Sequence, residues 1–562
     1  MSPHYPPDIS WDAPIPSVSL GELLDRSVER FGHLPAIDFL DRIITYAELG
    51  RLVARATKGF QALGVGPGVQ VGLYLPNCPY SVICYYAVLK AGGTVVNFNP
   101  LYAPPETKKQ IDDSQSRIMV TLDLEVLYPK LAQQRGQSAL ETIVVCSMAD
   151  ALPGLKRLLF PWVRRHDLAR IAAGPGHVRF ADLIANDGAY APVAIDPATA
   201  VAVLQYTGGT TGTPKGAMLT HRNLSANVEQ CRLWFTRVEY GRVRLLSVLP
   251  FFHVFAMTVL MNVGIALGGA IIMLPRFEIK TVLRTIHKKR PTFMAGVPTM
   301  YTAINTANAD GRYDLASIEN CLSGGAPLPL EVKQRFEALT GCKLVEGYGL
   351  TETSPVSNCN PLYGLNKEGS IGLPFPGTRV ELRDLEDPHR VVPLGDRGEI
   401  CIGGPQVMAG YWRQPEATAQ VFIDGLLRTG DVGRMDEDGY VFIVDRIKDL
   451  ILCGGYNVYP RNIEEAIYQH PAVEEATVIG VPDSYRGQSP KAFCKLKTGA
   501  VLDAETLKAF LKERLSSIEM PREIEFRDAL PKTLIGKLSK KELIAEEAAK
   551  RQTTATAPSA PS

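Results

Sequence analysis

Along the first part of the chain, short apolar runs alternate with stretches in which apolar residues recur at helical spacing. The run AIDFL predicts a strand, and ITYAELGRLVARATKGFQALG after it predicts a helix with Thr45 as N-cap. VQVGLYLPN, CYYAVLKAGGTVVNFNP and IMVTLD continue as β-rich runs and helical segments closed by Gly or Pro, the texture of parallel α/β units. The same alternation resumes at residue 200 and lasts to about residue 350. After Gly369 the pattern changes to short strands separated by turn residues (GTRVELRD, GEICIGG, GYVFIVDR), which predicts a β-rich subdomain over about 369–447. A charged α+β segment follows, with VEEATVIGVPD as a strand and a helix near 503–515. The expected class is therefore α/β: an N-terminal extension (1–18), a large domain of α/β subdomains plus the β-rich subdomain (19–447), a small α+β C-terminal domain (448–548) and a disordered polar tail (549–562).

One stretch needs a membrane test. Residues 245–275 carry no Asp, Glu, Lys or Arg, and 256–274 approaches the length of a membrane span. Asn262, Gly264, Gly268 and Gly269 interrupt it, so it reads as a buried helix, a Gly-Gly turn and a buried strand. At 562 residues the chain needs more than one core. Its 60 basic residues balance 59 acidic ones, so no global field favours nucleic acid. Ten scattered cysteines without a Cys-x-x-Cys pair argue against zinc and disulfides. Reduced thiols and an N-terminus without a basic leader and apolar run predict a cytoplasmic location.

The sharpest chemical signal follows the apolar strand AVAVLQ: Tyr206, Thr207, Gly208, Gly209, Thr210, Thr211, Gly212, Thr213, Pro214, Lys215 and Gly216. A turn rich in Gly and Thr exposes backbone N–H groups and hydroxyls that can wrap a polyphosphate, and Lys215 adds positive charge. A Walker A loop is excluded, because Pro214 precedes that lysine and Gly216 follows it. In Gly347, Tyr348, Gly349, Leu350, Thr351 and Glu352, the threonine offers a hydroxyl to phosphate and the glutamate a hard oxygen to Mg2+. The small residues Gly325, Ala326 and Pro327 let backbone approach a flat ligand. Asp431 can accept bonds from ribose hydroxyls or can simply be a turn residue, and Arg446 can add a charged donor. His253, at the mouth of the apolar stretch, reads equally as a hydrogen-bonded core histidine.

The segments YTGGTTGTPKGAMLTHRNL, CLSGGAPLP, VEGYGLTETSP and GGYNVYPRNIEE, in this order, resemble the adenylate-forming superfamily of acyl-CoA synthetases, luciferases and adenylation domains. Within it the chain looks most like the bacterial long-chain fatty-acid:CoA ligases, from about residue 20 to 543. The resemblance implies Thr207 and Glu352 as Mg2+ ligands, Tyr348 stacked on adenine and 325–327 as the opposite wall. It places His253, with Val254 and Met257, at the acyl pocket, although some relatives have a gating aromatic where Met257 stands. PKTLIGKLSKKEL matches the signature that makes Lys537 catalytic. A mobile C-terminal domain would turn on Lys448 and bring Gly454 and Gly455 to a coenzyme A channel. The implied reaction activates a fatty acid with ATP and passes the acyl group to coenzyme A. An aryl, coumaroyl or other acid, and a non-catalytic nucleotide-binding homologue, remain as alternatives; an oligomer is compatible with either.

Finally, KRLLFPWVRR sets two basic residues on each side of an apolar, aromatic centre. This suits peripheral contact with the inner face of an anionic membrane. The competing expectation is a surface helix or loop packed on the large domain, since Pro161 would break a regular amphipathic face.

Overall fold

The computed structural model describes residues 5–172, 174–207, 214–453, 456–483, 485–533 and 538–555. The chain forms two compact units, Met1–Arg379 with Ile402–Leu427, and Val380–Cys401 with Arg428–Ser562. The β-rich segment expected at 369–447 is thus shared between the units.

The first unit is built on two sheets. One is seven-stranded, in the order His177–Arg179, Thr142–Cys146, Ile118–Leu122, Gln70–Leu73, Thr94–Asn97, Val201–Tyr206 and Gly216–Thr220. Its pairs are parallel except the last, which is antiparallel. Strands buried on both faces are largely apolar, and Ile118–Leu122 is buried at every position with Thr121 as its one polar residue. Helix Tyr46–Ala62 begins where predicted: the Thr45 side chain accepts from the Glu48 N–H at 3.2 Å. Helix Pro79–Lys90 is buried along its whole length, which suits its nearly all-round apolar sequence.

The other sheet is nine-stranded, with Asn320–Ser323, Phe293–Gly296, Arg244–Ser247 and Ala270–Met273 as consecutive parallel neighbours. The charge-free stretch lies in its core. It comprises helix Val254–Ala256, a π-helical turn Met257–Asn262, helix Val263–Ala266 and strand Ala270–Met273. Asn262 is satisfied there, accepting from the Tyr86 hydroxyl at 2.8 Å and donating to Tyr85 at 3.2 Å. Gly268 has φ +67°, and a Cβ would meet the Phe31 ring at 2.4 Å, so the turn needs glycine. Among the described residues no helix is long and apolar enough to cross a membrane. The N-terminal extension packs on this unit: the Gly377 N–H donates to the Trp11 carbonyl at 2.9 Å, and the Tyr5 and Trp234 rings meet edge-on at 5.5 Å.

In the second unit, strands Ile451–Cys453, Tyr456–Val458, Val473–Asp483, Gly487–Leu496 and Glu523–Phe526 form a sheet. Its core includes Ile463, Ile467, Val478, Leu507 and Leu511. The expected helix near 503–515 spans Ala504–Lys512, capped by Asp503, whose carboxylate accepts from the Thr506 N–H at 2.8 Å. Helix Lys540–Ala555 runs past residue 549, where a disordered tail was expected. Its register of charged residues, including Glu546, Glu547 and Lys550, continues ion pairing with Lys491, Glu525 and Arg527 and sustains the helix. Residues 556–562 lie outside the described residues.

Candidate nucleotide and acyl site

In the first unit the phosphate-loop candidate joins two antiparallel strands. Tyr206 pairs with Gly216, and the Thr207 N–H donates to the Lys215 carbonyl at 3.0 Å, so both ends of the loop are pinned. Gly208, Gly209, Thr210, Thr211, Gly212 and Thr213 lie outside the described residues. The Tyr206 hydroxyl donates to Asp113 Oδ2 at 2.5 Å. Burial, reinforced by that carboxylate, pushes the phenol pKa well up and keeps it a donor. A Cβ on Gly216 would stand 3.2 Å from the Tyr206 ring, a tight contact that the ring would have to relieve by shifting.

A segment distant in sequence braces this hairpin. The Trp412 N–H donates to the Gly216 carbonyl at 2.8 Å, Met218 and the 409–410 backbone exchange bonds, and the Trp412 indole donates to the Asp113 carbonyl at 3.1 Å. The same segment holds Glu352: the Met408 N–H donates to its carbonyl at 2.8 Å, and the Tyr411 hydroxyl to its Oε1 at 2.7 Å. Burial and the Glu352 carboxylate raise the Tyr411 pKa, so this donor also stays protonated. Lys215 Nζ sits 4.9 Å from the centre of the Tyr411 ring. One brace therefore ties the loop's cation and hairpin to the candidate metal carboxylate.

The small-residue segments meet at the ends of parallel strands. Asn320–Ser323 pairs with Lys343–Gly349, Ser323 opposite Glu346, which sets 324–327 beside Gly347, Tyr348 and Gly349. A Cβ on Gly349 would fall 1.8 Å from the Pro355 carbonyl oxygen, an impossible approach for any other residue. Thr351–Thr353 forms a single turn beyond this strand.

His253 caps helix Val254–Ala256, its Nδ1 accepting from the Phe255 N–H at 3.3 Å. Val254 and Met257 are buried. Gln205, the residue before Tyr206, donates to the Phe252 carbonyl at 2.8 Å; Asn97 donates to Gln205 Oε1 at 2.9 Å and to the Met257 sulfur at 3.2 Å. Phe255 lies where a Cβ on Gly324 would touch it at 3.2 Å, and the Thr258 hydroxyl donates to the Ser354 carbonyl at 2.7 Å. The residues on either side of the acyl-pocket candidates, Phe252 and Thr258, are thus bonded to the strand that leads into the phosphate loop and to Ser354 after the turn Thr351–Thr353.

In the second unit Asp431 and Arg446 face each other across a hairpin, Arg446 Nε 3.0 Å from Asp431 Oδ1. The arginine side chain is half exposed and the aspartate buried. Lys448 follows in the turn Ile447–Asp449; burial, aided by Arg446, lowers its pKa. Beside them Asp445 is buried and accepts from the N–H groups of Arg446 at 2.7 Å and Arg461 at 2.9 Å. Burial raises its pKa to about 6 against the pull of Lys540. Lys540 itself ion-pairs with Glu464 at 3.0 Å. Lys537, Gly454 and Gly455 lie outside the described residues.

The family model described as AMP-binding enzyme matches residues 24–412, and the AMP-binding enzyme C-terminal domain matches 462–537. The chain belongs to the AMP-binding, adenylate-forming enzymes. It is 44% identical over 555 residues to a long-chain-fatty-acid–CoA ligase of Bacillus subtilis strain 168, covering 97% of each chain. It is 35% identical over 526 residues to a feruloyl-CoA synthase of an Amycolatopsis species, covering 93% of this chain and 98% of that one. A crystal structure of the anthranilate CoA ligase AuaEII in complex with anthranoyl-AMP superposes with a TM-score of 0.84 at 26% identity, covering 96% of this chain and 99% of that one.

In this adenylate-forming chain the donor set around Glu352 fits Mg2+. One carboxylate oxygen accepts from Tyr411, and the carboxylate is a hard-oxygen donor of the kind such a cation takes. Among the described residues no cluster of three His, Cys, Asp or Glu could hold a metal. A cation here would therefore draw most of its ligands from phosphates and water. Sequence reasoning missed Asp113, Gln205 and Tyr411. Gln205 did leave a signal, a polar residue closing an otherwise apolar buried strand.

Proposed function

We propose that this enzyme is an ATP-dependent long-chain fatty-acid:CoA ligase. The relative at 44% identity over nearly the whole chain carries the reading, and the braced hairpin, carboxylate and charge-free acyl segment support it. A carboxylate is a poor acyl donor because oxide would have to leave. Its oxygen attacks the α-phosphorus of ATP, the bond to pyrophosphate breaks, and an acyl-adenylate forms. The thiol of coenzyme A then attacks the acyl carbonyl, loses its proton, and AMP departs.

The chain's own groups take these roles. The loop 206–216 wraps the phosphates, Lys215 and Lys537 face the growing negative charge, and Tyr348 with 325–327 sandwiches adenine. Thr207 and Glu352 hold Mg2+, which neutralises phosphate charge when bound. His253, Val254 and Met257 line the acyl entrance, with each buried methylene contributing about 0.8 kcal/mol. Asp431 binds the ribose hydroxyls and Arg446 donates close to the sugar. Lys537 is needed in the first step and the thiol needs access in the second, so we assign a hinge at Lys448 between 19–447 and 448–548, with Gly454 and Gly455 presented to coenzyme A after the swivel. A cytoplasmic enzyme at the membrane's inner face would meet acids that partition into lipid.

The feruloyl-CoA synthase at 35% identity favours a second reading, an aromatic acid as substrate. Thioester formation with coenzyme A across saturated acids of graded chain length and a set of hydroxycinnamic acids decides between them. The expected result is turnover rising with chain length. Preferential turnover of hydroxycinnamates would overturn the fatty-acid assignment.

A further inference from the structure

Helix Gly154–Val163 contains no buried residue. Leu155, Leu158, Leu159, Trp162 and Val163 are 69%, 69%, 48%, 82% and 71% exposed. Their spacing (i, i+3, i+4, i+7, i+8) places them on one stripe, the apolar face of an amphipathic helix turned outward. Pro161 removes an internal hydrogen bond without ending the helix, and the Arg164 N–H still donates to the Phe160 carbonyl at 2.9 Å. The segment is a surface helix tied to the first unit through Lys156 and Arg157, as one of the two expectations had it, and this apolar stripe stays exposed.

Charge selects the occupant. Residues 154–165 carry Lys156, Arg157, Arg164 and Arg165 and no acid. Three of these cations pair with aspartates: Lys156 with Asp41 at 2.7 Å, Arg157 with Asp150 at 2.8 Å and Arg164 with Asp167 at 2.5 Å. Both partners in every pair are exposed. Such pairs are weak and can be exchanged for lipid phosphate. Trp162 lies at the basic end of the stripe, where an indole suits the boundary between acyl chains and headgroups.

We propose that this helix docks the enzyme on an anionic lipid bilayer, with Leu155, Leu158, Leu159, Trp162 and Val163 entering the interface and the flanking cations meeting headgroup phosphate. Its benefit to catalysis rests on the fatty-acid reading, since such substrates accumulate in that layer.

The test uses the full chain in sedimentation with vesicles of mixed phosphatidylglycerol and phosphatidylcholine, and of phosphatidylcholine alone. Ligase turnover on acid dispersed in detergent is measured in parallel. The parent protein should bind anionic vesicles at least tenfold more tightly than neutral ones. Leu158→Ser with Trp162→Ser should lose tenfold or more of that binding, and Arg164→Glu with Arg165→Glu should lose the anionic preference. Trp162→Phe should bind like the parent while losing a blue shift of tryptophan emission on vesicle addition. All variants should keep the parent's turnover in detergent, which separates docking from folding. Equal binding by the parent and the serine variant would overturn the proposal, as would absence of binding by the parent. Self-association of the parent that the serine variant abolishes, without vesicle binding, would overturn it in favour of a second copy. Vesicle binding without ligase turnover would sustain docking and reject the fatty-acid function.

Discussion

Tyr411 does more for Glu352 than either residue's sequence context suggests. Its hydroxyl occupies Oε1 and fixes the carboxylate's rotation, leaving Oε2 directed by a bond rather than by chance. Removing a partner of this kind typically weakens metal binding by about tenfold, so Tyr411→Phe should raise the Mg2+ concentration for half-maximal adenylation by about that factor. Glu352→Gln should raise it further, because a neutral amide is a poor ligand for a hard cation. Neither variant should much alter thioester formation from supplied acyl-adenylate. Magnesium titrations of both half-reactions check this, and unchanged dependence in the adenylation step would contradict it. Tyr348, Thr351 and Glu352 could be proposed from the sequence because they crowd into one short motif, at the end of strand Lys343–Gly349 and in the turn Thr351–Thr353 after it. Asp113, Gln205 and Tyr411 could not, because each comes from a different element and meets its partner, Tyr206, Phe252 or Glu352, only in the folded chain.

At the scale of elements, strands buried on both faces announced themselves, as Ile118–Leu122 does. The π-helical turn Met257–Asn262 could not be read, since an unbroken apolar run has no polar face from which to count a period. Helix Lys540–Ala555 hid in a polar tail for the opposite reason: ion pairs rather than an apolar face hold it. Just ahead of the proposed hinge, strand Val441–Arg446 carries Asp445, whose carboxyl pKa rises from 3.8 to about 6 through burial. The folded state then binds the proton more tightly than the unfolded state, so this group's favourable contribution is full below the unfolded pKa and fades as pH climbs to about 6. Asp445→Asn removes that slope. The variant's thermal midpoint relative to the parent should therefore rise between about pH 4 and pH 6 and level off above it. Calorimetry across that range checks the sign, and a difference independent of pH would contradict the burial of a charged carboxylate.

For the whole molecule, two units and two chemical steps belong together. If Lys537 serves only the first step, Lys537→Ala should slow adenylate formation by about a hundredfold or more, the usual loss for one charge-stabilising group, while transfer from supplied acyl-adenylate to coenzyme A is largely retained. Separate assays of the half-reactions check the division, and equal loss in both would contradict it. The order of segments along the chain made the two-part organisation legible, from the loop at 206–216 to PKTLIGK near the end. The division at 379/380, 401/402 and 427/428 was not, because the chain leaves and re-enters each unit through strands whose local pattern is uniform. The central claim is that this protein activates a long-chain fatty acid as its adenylate. Acid-dependent exchange of labelled pyrophosphate into ATP, measured without coenzyme A, tests it most directly. Exchange should require Mg2+ and a long-chain fatty acid, and in Glu352→Gln it should fall at the parent's half-maximal Mg2+ and recover only at higher concentrations; exchange that no fatty acid stimulates would contradict the claim.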